Sequence, residues 1–427
     1  MPYGDGSNRS LLMKVGLKRG LWLWLPPLIL FLSGLKRAWL TGQTDPWDWA
    51  FAAAVVLVGT GWMMARRGWR MLGWVAMGGV GMALVFCILA AGRVPDALAA
   101  AGLVAVALLA TVGGAFLYQP PFASGAVEKR PRHVSRLRPK RMAIGLASLS
   151  FAALIFWRGP PQPVQPVPNR PGLAVVTGLP LFWAESGRDG PLDAPIITLL
   201  RTRFTVMPMD DPLRLAMSGA RRLLLAQPRP LTPAQRVAID QWVRDGGTAL
   251  VLADPLLRWP SDLPPGDRRR APSADLLQPL LRHWGFEPTG REEAEIRHFL
   301  PDGALLTLSG AQLYRLDEGD AAIHRKRIGR GEVLLLGDAD PIDDRLWLAD
   351  PAHPLDPRFW VADTPARVVH WLGGAPVPGD RRWMGKGQDV TAALRWALLA
   401  GTIWAILGAF LLRRENKVSG RGTKRET

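Results

Sequence analysis

The sequence predicts a multi-pass α-helical membrane region joined to an extracytoplasmic α/β domain with a mostly parallel, doubly wound sheet. Three observations lead there. Six apolar runs are separated by basic residues. The formal charge of +17 belongs almost wholly to those runs. Between the fifth and sixth runs, short apolar strands alternate with amphipathic helices.

The charge distribution decides between partners. Of 427 residues, 48% are hydrophobic and 21% charged. Residues 159–390 hold 28 basic and 29 acidic residues, a net of −1, leaving 25 basic and 7 acidic among the other 195, a net of +18. The cationic excess therefore lies with the most apolar part of the chain. Lysines and arginines flanking membrane helices account for it better than a nucleic-acid surface does. The only cysteine, Cys87, lies in an apolar run, which excludes an internal disulfide, a multi-cysteine metal site and a thiol nucleophile in the polar domain.

Residues 1–158 are expected to hold about five transmembrane helices: Leu21–Leu35, Trp47–Ala65, Met71–Ala91, Ala97–Tyr118 and Met142–Trp157. A sixth, within residues 391–412, starts at Thr391 and ends at Leu412. Most approach the roughly 20 residues that cross a bilayer. The first is shorter and contains Pro26-Pro27. The loops on one side of these runs, together with both ends, carry 20 lysines and arginines; the short loops opposite carry only Lys36, Arg37 and Arg93. The positive-inside rule then places both termini in the cytoplasm, with a basic tail at 413–427, and residues 159–390 in the periplasm of a bacterial inner membrane. The spans lack paired internal charges, which opposes a stand-alone transporter. In the last span Ala393, Ala397, Gly401, Ala405 and Ala409 recur every fourth residue. Such a small-residue stripe suits close helix packing, against another membrane protein or against the chain's own spans.

Residues 159–171 read GPPQPVQPVPNRP, six prolines in thirteen positions. This composition predicts an extended polyproline spacer of about 3.1 Å per residue. From there, 172–380 reads as α/β. Strands are expected at 173–177, 204–207, 222–226, 248–253, 304–308, 322–327 and 332–336, and helices at 192–202, 233–244, 274–284 and 365–372. The helix from Pro233 is the best marked. Thr232 caps it, Gln235 completes a capping box, and Gly246-Gly247 closes it.

The segment LTPAQRVAIDQWVRDGGTALVLADP and the later GRGEVLLLGDADPIDDRLW carry a resemblance. They are similar to the membrane-anchored glutamine-amidotransferase-like (class I, flavodoxin-like) domains of the auxiliary ABC-transport and gliding-type protein group, a DUF4350-like domain. The resemblance covers residues 173–372. It implies a non-catalytic accessory subunit that works with other membrane proteins, such as an ABC permease and ATPase or a MoxR-type ATPase system.

The residues agree with a lack of catalysis. A true class I amidotransferase needs a cysteine nucleophile after a central strand. The corresponding turn, read as Ala253-Asp254-Pro255, has none. Serine-elbow, zinc-helix and Walker motifs are missing, so no cofactor is implied. The histidines stand singly, without metal-ligand spacing. The best candidate binding residues are Asp254 and the cluster Asp338, Asp340 and Asp343, with Asp344 beside it, because ligands bind beyond the carboxyl ends of strands in open α/β sheets. The plainer expectation for the cluster is a solvated turn held by Asx hydrogen bonds, with Asp343 capping a short helix. The rival function is a metal-dependent hydrolase using Asp254, Asp338 and Asp340.

Overall fold

The computed structural model describes residues 6–66, 68–118, 133–184, 192–291, 294–316, 319–378 and 381–419. The loop residues Lys129, Arg130 and Arg132, residue Gly190 and the tail 420–427 lie outside these. The chain divides into two compact units: Met1–Pro160 with Asp380–Thr427, and Pro161–Gly379.

The helices in chain order are α1 (Gly6–Thr41), α2 (Ala50–Met64), α3 (Trp69–Ala91), α4 (Ala97–Leu117), α5 (His133–Arg158), α6 (Pro195–Leu200), α7 (Pro233–Arg244), α8 (Gln278–His283), α9 (Asp344–Trp347), α10 (Thr364–Trp371) and α11 (Gly387–Ser419). The strands are β1 (Gly172–Thr177), β2 (Thr205–Pro208), β3 (Arg222–Ala226), β4 (Thr248–Leu252), β5 (Glu287–Arg291), β6 (Glu295–Phe299), β7 (Leu305–Ser309), β8 (Gln312–Leu316), β9 (Gly319–Ala321), β10 (Ile323–Ile328) and β11 (Gly331–Leu336).

The first unit is the helical bundle α1–α5 with α11. Among the described residues five segments are long and apolar enough to cross a membrane: Pro46–Met64, Trp69–Ala91, Ala97–Leu117, Pro139–Arg158 and Gly387–Leu412. The sequence predicts six. The remaining run is part of α1, a continuous helix through Pro26-Pro27 and longer than the expected Leu21–Leu35. Glycines on α3 receive the proline turn: a Cβ at Gly79 would lie 2.9 Å from Leu30 Cδ1 and 3.3 Å from Pro27 Cα. Small residues also bring α2 and α4 into backbone contact, since a Cβ at Gly114 would sit 2.1 Å from the Val58 carbonyl.

The stripe on α11 packs inside this bundle. Ala393 and Ala397 are fully buried, Ala405 nearly so and Ala409 partly. A Cβ on Gly401 would meet Met82 Sδ of α3 at 2.2 Å. Alongside, Trp74 and Trp404 stack at 4.2 Å and exchange hydrogen bonds: Trp74 Nε1 donates to the Trp404 carbonyl at 2.9 Å, and Trp404 Nε1 to the Trp74 carbonyl at 2.8 Å. Each indole thus bonds a carbonyl of the neighbouring helix, where lipid offers no partner. Cys87 is buried in the same core.

The second unit is built on a six-stranded sheet of order β10-β11-β4-β3-β1-β2. All neighbouring pairs are parallel except β10 with β11. Reading the parallel strands alone gives the order 2-1-3-4-5, a doubly wound arrangement with a switch point between β1 and β3. Both faces are covered, which is why the strands read as continuous apolar runs rather than alternating ones. On one face Ala174, Val176, Leu223, Leu225, Val251 and Val333 form a core with Ile239 and Val243 of α7 and Leu280 and Leu281 of α8. On the other, Leu173, Val175, Leu224, Leu250 and Leu334 are buried too. The capping box at Thr232 and Gln235 forms.

Between β4 and β11 the chain inserts two small antiparallel sheets, β5-β8-β9 and β6-β7. The proline-rich segment lies on this unit. Val164 is 2% exposed, its amide donates to the Leu355 carbonyl at 2.7 Å, and the Val167 amide donates to the Thr202 carbonyl at 2.9 Å.

Candidate functional site

Parallel neighbours deliver the residues that follow them to the same edge of a sheet. β4 pairs with β11 through Leu252 and Leu336. Asp254 follows the first strand and Asp338 and Asp340 follow the second, so the three carboxylates meet. One oxygen from each lies within 4.8 Å of the others. The residue between strand and cluster must be glycine, because a Cβ on Gly337 would stand 2.0 Å from the Gln312 carbonyl.

The three side chains are sealed: Asp254 and Asp338 are 0% exposed and Asp340 is 1% exposed. Each carboxylate accepts hydrogen bonds from backbone amides. Asp254 takes Leu256 N at 2.7 Å and Ala339 N at 3.4 Å. Asp338 takes Ser309 N, and Asp340 N at 2.9 Å. Asp340 takes Arg258 N on both oxygens, at 3.1 and 3.0 Å. The cluster therefore ties together three backbone segments: the loop after β4, the end of β7, and the turn after β11. The acidic turn makes the local Asx-type bonds of its sequence, and it is buried rather than solvated.

Burial dominates the electrostatics. It raises the Asp254 carboxyl to about 6. It raises Asp340 to about 7, with the nearby Asp254 charge adding to the effect. Asp338 goes up strongly, first from burial and then from Asp254. Carboxylates this close and this dry cannot all ionise, and sharing protons resolves the conflict. A hard divalent cation is the other way to neutralise such a set, but it takes six or more oxygens. Here the carboxylate oxygens each accept an amide hydrogen bond, which leaves one lone pair apiece for a cation or a shared proton. One oxygen from each carboxylate converges, so a cation would need further oxygen donors, which proton sharing does not.

Asp343 stands apart from the other three. It caps α9 through Arg345 N and grips the Arg345 guanidinium. That pairing holds the Arg345 guanidinium above its ordinary value. Asp344 is raised by burial and then by Asp343. The histidines stay scattered: His283 lies 3.5 Å from Asp240, His353 Nδ1 lies 2.8 Å from Asp350, and His324 Nε2 lies 2.7 Å from the Ala321 carbonyl.

The residue that sequence reasoning missed is Gln227, directly after β3. Its φ is +42°, the only positive φ outside glycine among the described residues. Its side chain brackets the backbone of Asp254: Nε2 donates to the Asp254 carbonyl at 2.8 Å, and Oε1 accepts the Asp254 amide at 3.0 Å. Nε2 also reaches the Pro272 carbonyl at 3.0 Å. Left-handed backbone is rare in a residue other than glycine, asparagine or aspartate, and here the bonds around it hold it. The one signal in the sequence is a polar residue, Gln227, ending an apolar strand just before Pro228.

The curated proteins contain no match to this chain. Among solved structures the chain is similar to the exo-beta-1,4-mannosidase Op5Man5 from Opitutaceae bacterium strain TAV5, at 14% identity and a TM-score of 0.24, over 45% of this chain and 34% of that one. It is also similar to the beta-galactosidase from Bacillus circulans sp. alkalophilus, at 13% identity and a TM-score of 0.25, over 67% of this chain and 45% of that one. The chain thus spans less than half the length of either, and likenesses at these TM-scores say nothing about its activity. Residues 198–345, which hold strands β2–β11 and every candidate aspartate, form a domain of unknown function, DUF4350.

Proposed function

We propose that this protein is a non-catalytic accessory subunit of the bacterial inner membrane, partnering an ABC-type permease and ATPase or a MoxR-type envelope-maintenance system. In this reading both termini are cytoplasmic and the α/β unit is periplasmic, where it binds a ligand or a partner protein. One observation carries the non-catalytic part. The carboxyl edge of the sheet, where open α/β folds hold substrates, is filled by the chain's own buried aspartates. Hydrolysis by a metal requires an open coordination position and a path for substrate. With the three side chains 0–1% exposed, a substrate would have to displace the residues that cover them.

The accessory role is supported by the resemblance of the 231–255 and 329–347 segments to domains of that group, and by spans without paired charges. The rival reading, a metal-dependent hydrolase, draws on the 4.8 Å convergence of Asp254, Asp338 and Asp340.

The test is crosslinking in cells, followed by purification of the full-length protein in mild detergent. The proposal expects one reproducible membrane-protein partner of ABC or MoxR type. A protein recovered only as a monomer, with nothing crosslinked, contradicts the proposal.

A further inference from the structure

Helices α7 and α8 both turn one side into the core, α7 through Ile239 and Val243 and α8 through Leu280 and Leu281. Between them lies an open groove of about 410 Å³, within the range of small-molecule sites. Val237, which is 63% exposed, and Leu280 give it an apolar wall, flanked by Pro233 and Pro279. None of the clustered aspartates lines it.

The polar side of the groove has an excess of positive charge. Asp240 is the one carboxylate there, and it is already paired. Its Oδ2 accepts Arg244 Nε at 2.8 Å and its Oδ1 accepts the Trp284 indole at 2.8 Å. Arg236, one turn back on α7, is half-buried, and its guanidinium has no hydrogen-bond or ion-pair partner among the described residues. His283 supplies a second donor. Its Nε2 lies 3.3 Å from Arg244 Nη2, with the Asp240 oxygen farther away at 3.5 Å. A guanidinium can only donate, so Nε2 accepts and the ring proton sits on Nδ1, which has no partner among the described residues. An apolar wall beside an unpaired guanidinium and a free N–H is complementary to an anion with an apolar body.

We propose that the α7–α8 groove binds a small monocarboxylic acid. Its carboxylate pairs with Arg236, with His283 as a second donor, and its apolar body lies on Val237 and Leu280. The size of the groove favours a free acid over a docked protein: seven residues line it, where a stable protein interface takes about 20–30 a side. The site is independent of the accessory-subunit reading and of the aspartates.

The test is equilibrium dialysis of the full-length protein in nanodiscs against radiolabelled hexanoate at pH 7.5, with binding to empty nanodiscs subtracted. Hexanoate should bind saturably at one site, with a Kd of about 1 mM or tighter. Acetate, which lacks the apolar body, and hexylamine, which reverses the charge, should each compete at least tenfold less well. Arg236→Gln should weaken hexanoate at least tenfold, and Arg236→Lys, which keeps the charge, should recover part of that loss. Val237→Asp puts a like charge on the exposed wall and should also weaken binding at least tenfold, with the unfolding midpoint unchanged. Three results would overturn the proposal: no saturable binding, competition by hexylamine equal to that by hexanoate, or binding that Arg236→Gln and Val237→Asp each change by less than twofold. Saturable binding of the blocked peptide Leu-Glu-Leu without binding of hexanoate would also overturn it, and would assign the groove to a polypeptide segment.

Discussion

Gln227 holds Asp254 by its backbone, taking both the carbonyl and the amide of that residue with one carboxamide. The consequence is that the end of β3 positions the first aspartate of a cluster otherwise built from β4 and β11. Gln227→Ala leaves two buried backbone groups without partners and keeps the unfavourable φ. It should cost about 2–3 kcal/mol, read as a lower unfolding midpoint of the full-length protein. Gln227→Gly relieves the backbone and should recover part of that loss. Equal stability of the alanine variant and the parent would show that the bracket is not needed.

The aspartate cluster predicts a pH dependence of defined sign. Asp254 near 6 and Asp340 near 7 lie above an unfolded carboxyl value of about 3.9. Raised carboxyl values mean that the folded state favours the proton. The stabilisation is complete below about pH 4 and is lost as pH rises through 6 to 7, by roughly 3 kcal/mol for a group raised by about two units. Thermal unfolding followed from pH 5 to pH 8 should show a falling midpoint. In Asp338→Asn, which removes the central titrating partner, the fall should be shallower. A midpoint that rises over this range would contradict proton sharing.

Packing of the α11 stripe inside the bundle changes what its substitution should do. Gly401→Leu drives a branched side chain into Met82, where the space for a Cβ alone is already 2.2 Å. The expected result is a destabilised bundle, by about 2 kcal/mol or more, with no change in the mass of the detergent-solubilised complex. Loss of a partner with unchanged thermal stability would return the stripe to an intermolecular role.

The orientation drawn from the basic loops is open to a direct check. A reporter active only outside the cytoplasm should work when fused at Gly190 and fail at Arg132 or Arg421. Activity at Arg132 would reverse the topology.

The sheet was legible because its strands are buried on both faces. Such strands are unbroken apolar runs, and LLLA at 223–226 and VLLL at 333–336 announce themselves. The helix from Pro233 was legible through local chemistry, its capping box and its Gly-Gly stop. Strands β5 and β6 were not, since EPTGR and EIRHF are half polar and largely exposed, and their pairing depends on partners distant in sequence. The meeting of Asp254 with Asp338 and Asp340 followed from placing each after a strand. Their burial did not follow, because it depends on the loop 255–275 and the β7 end closing over them. Gln227 and the docked proline-rich segment stayed hidden for a related reason: neither a glutamine at positive φ nor a proline run lying on a domain has a composition that distinguishes it from an ordinary loop.

The central claim is that the buried aspartates are a proton-held structural tie and not a metal centre. The most direct measurement is the unfolding midpoint of the full-length protein at pH 7.5, with chelator and then with millimolar magnesium, calcium or manganese. A cation that binds only the folded state must raise the midpoint as its concentration passes its dissociation constant. The same midpoint is expected in all four conditions. A clear rise with one cation, abolished by Asp338→Asn with Asp340→Asn, would contradict it and favour the hydrolase reading.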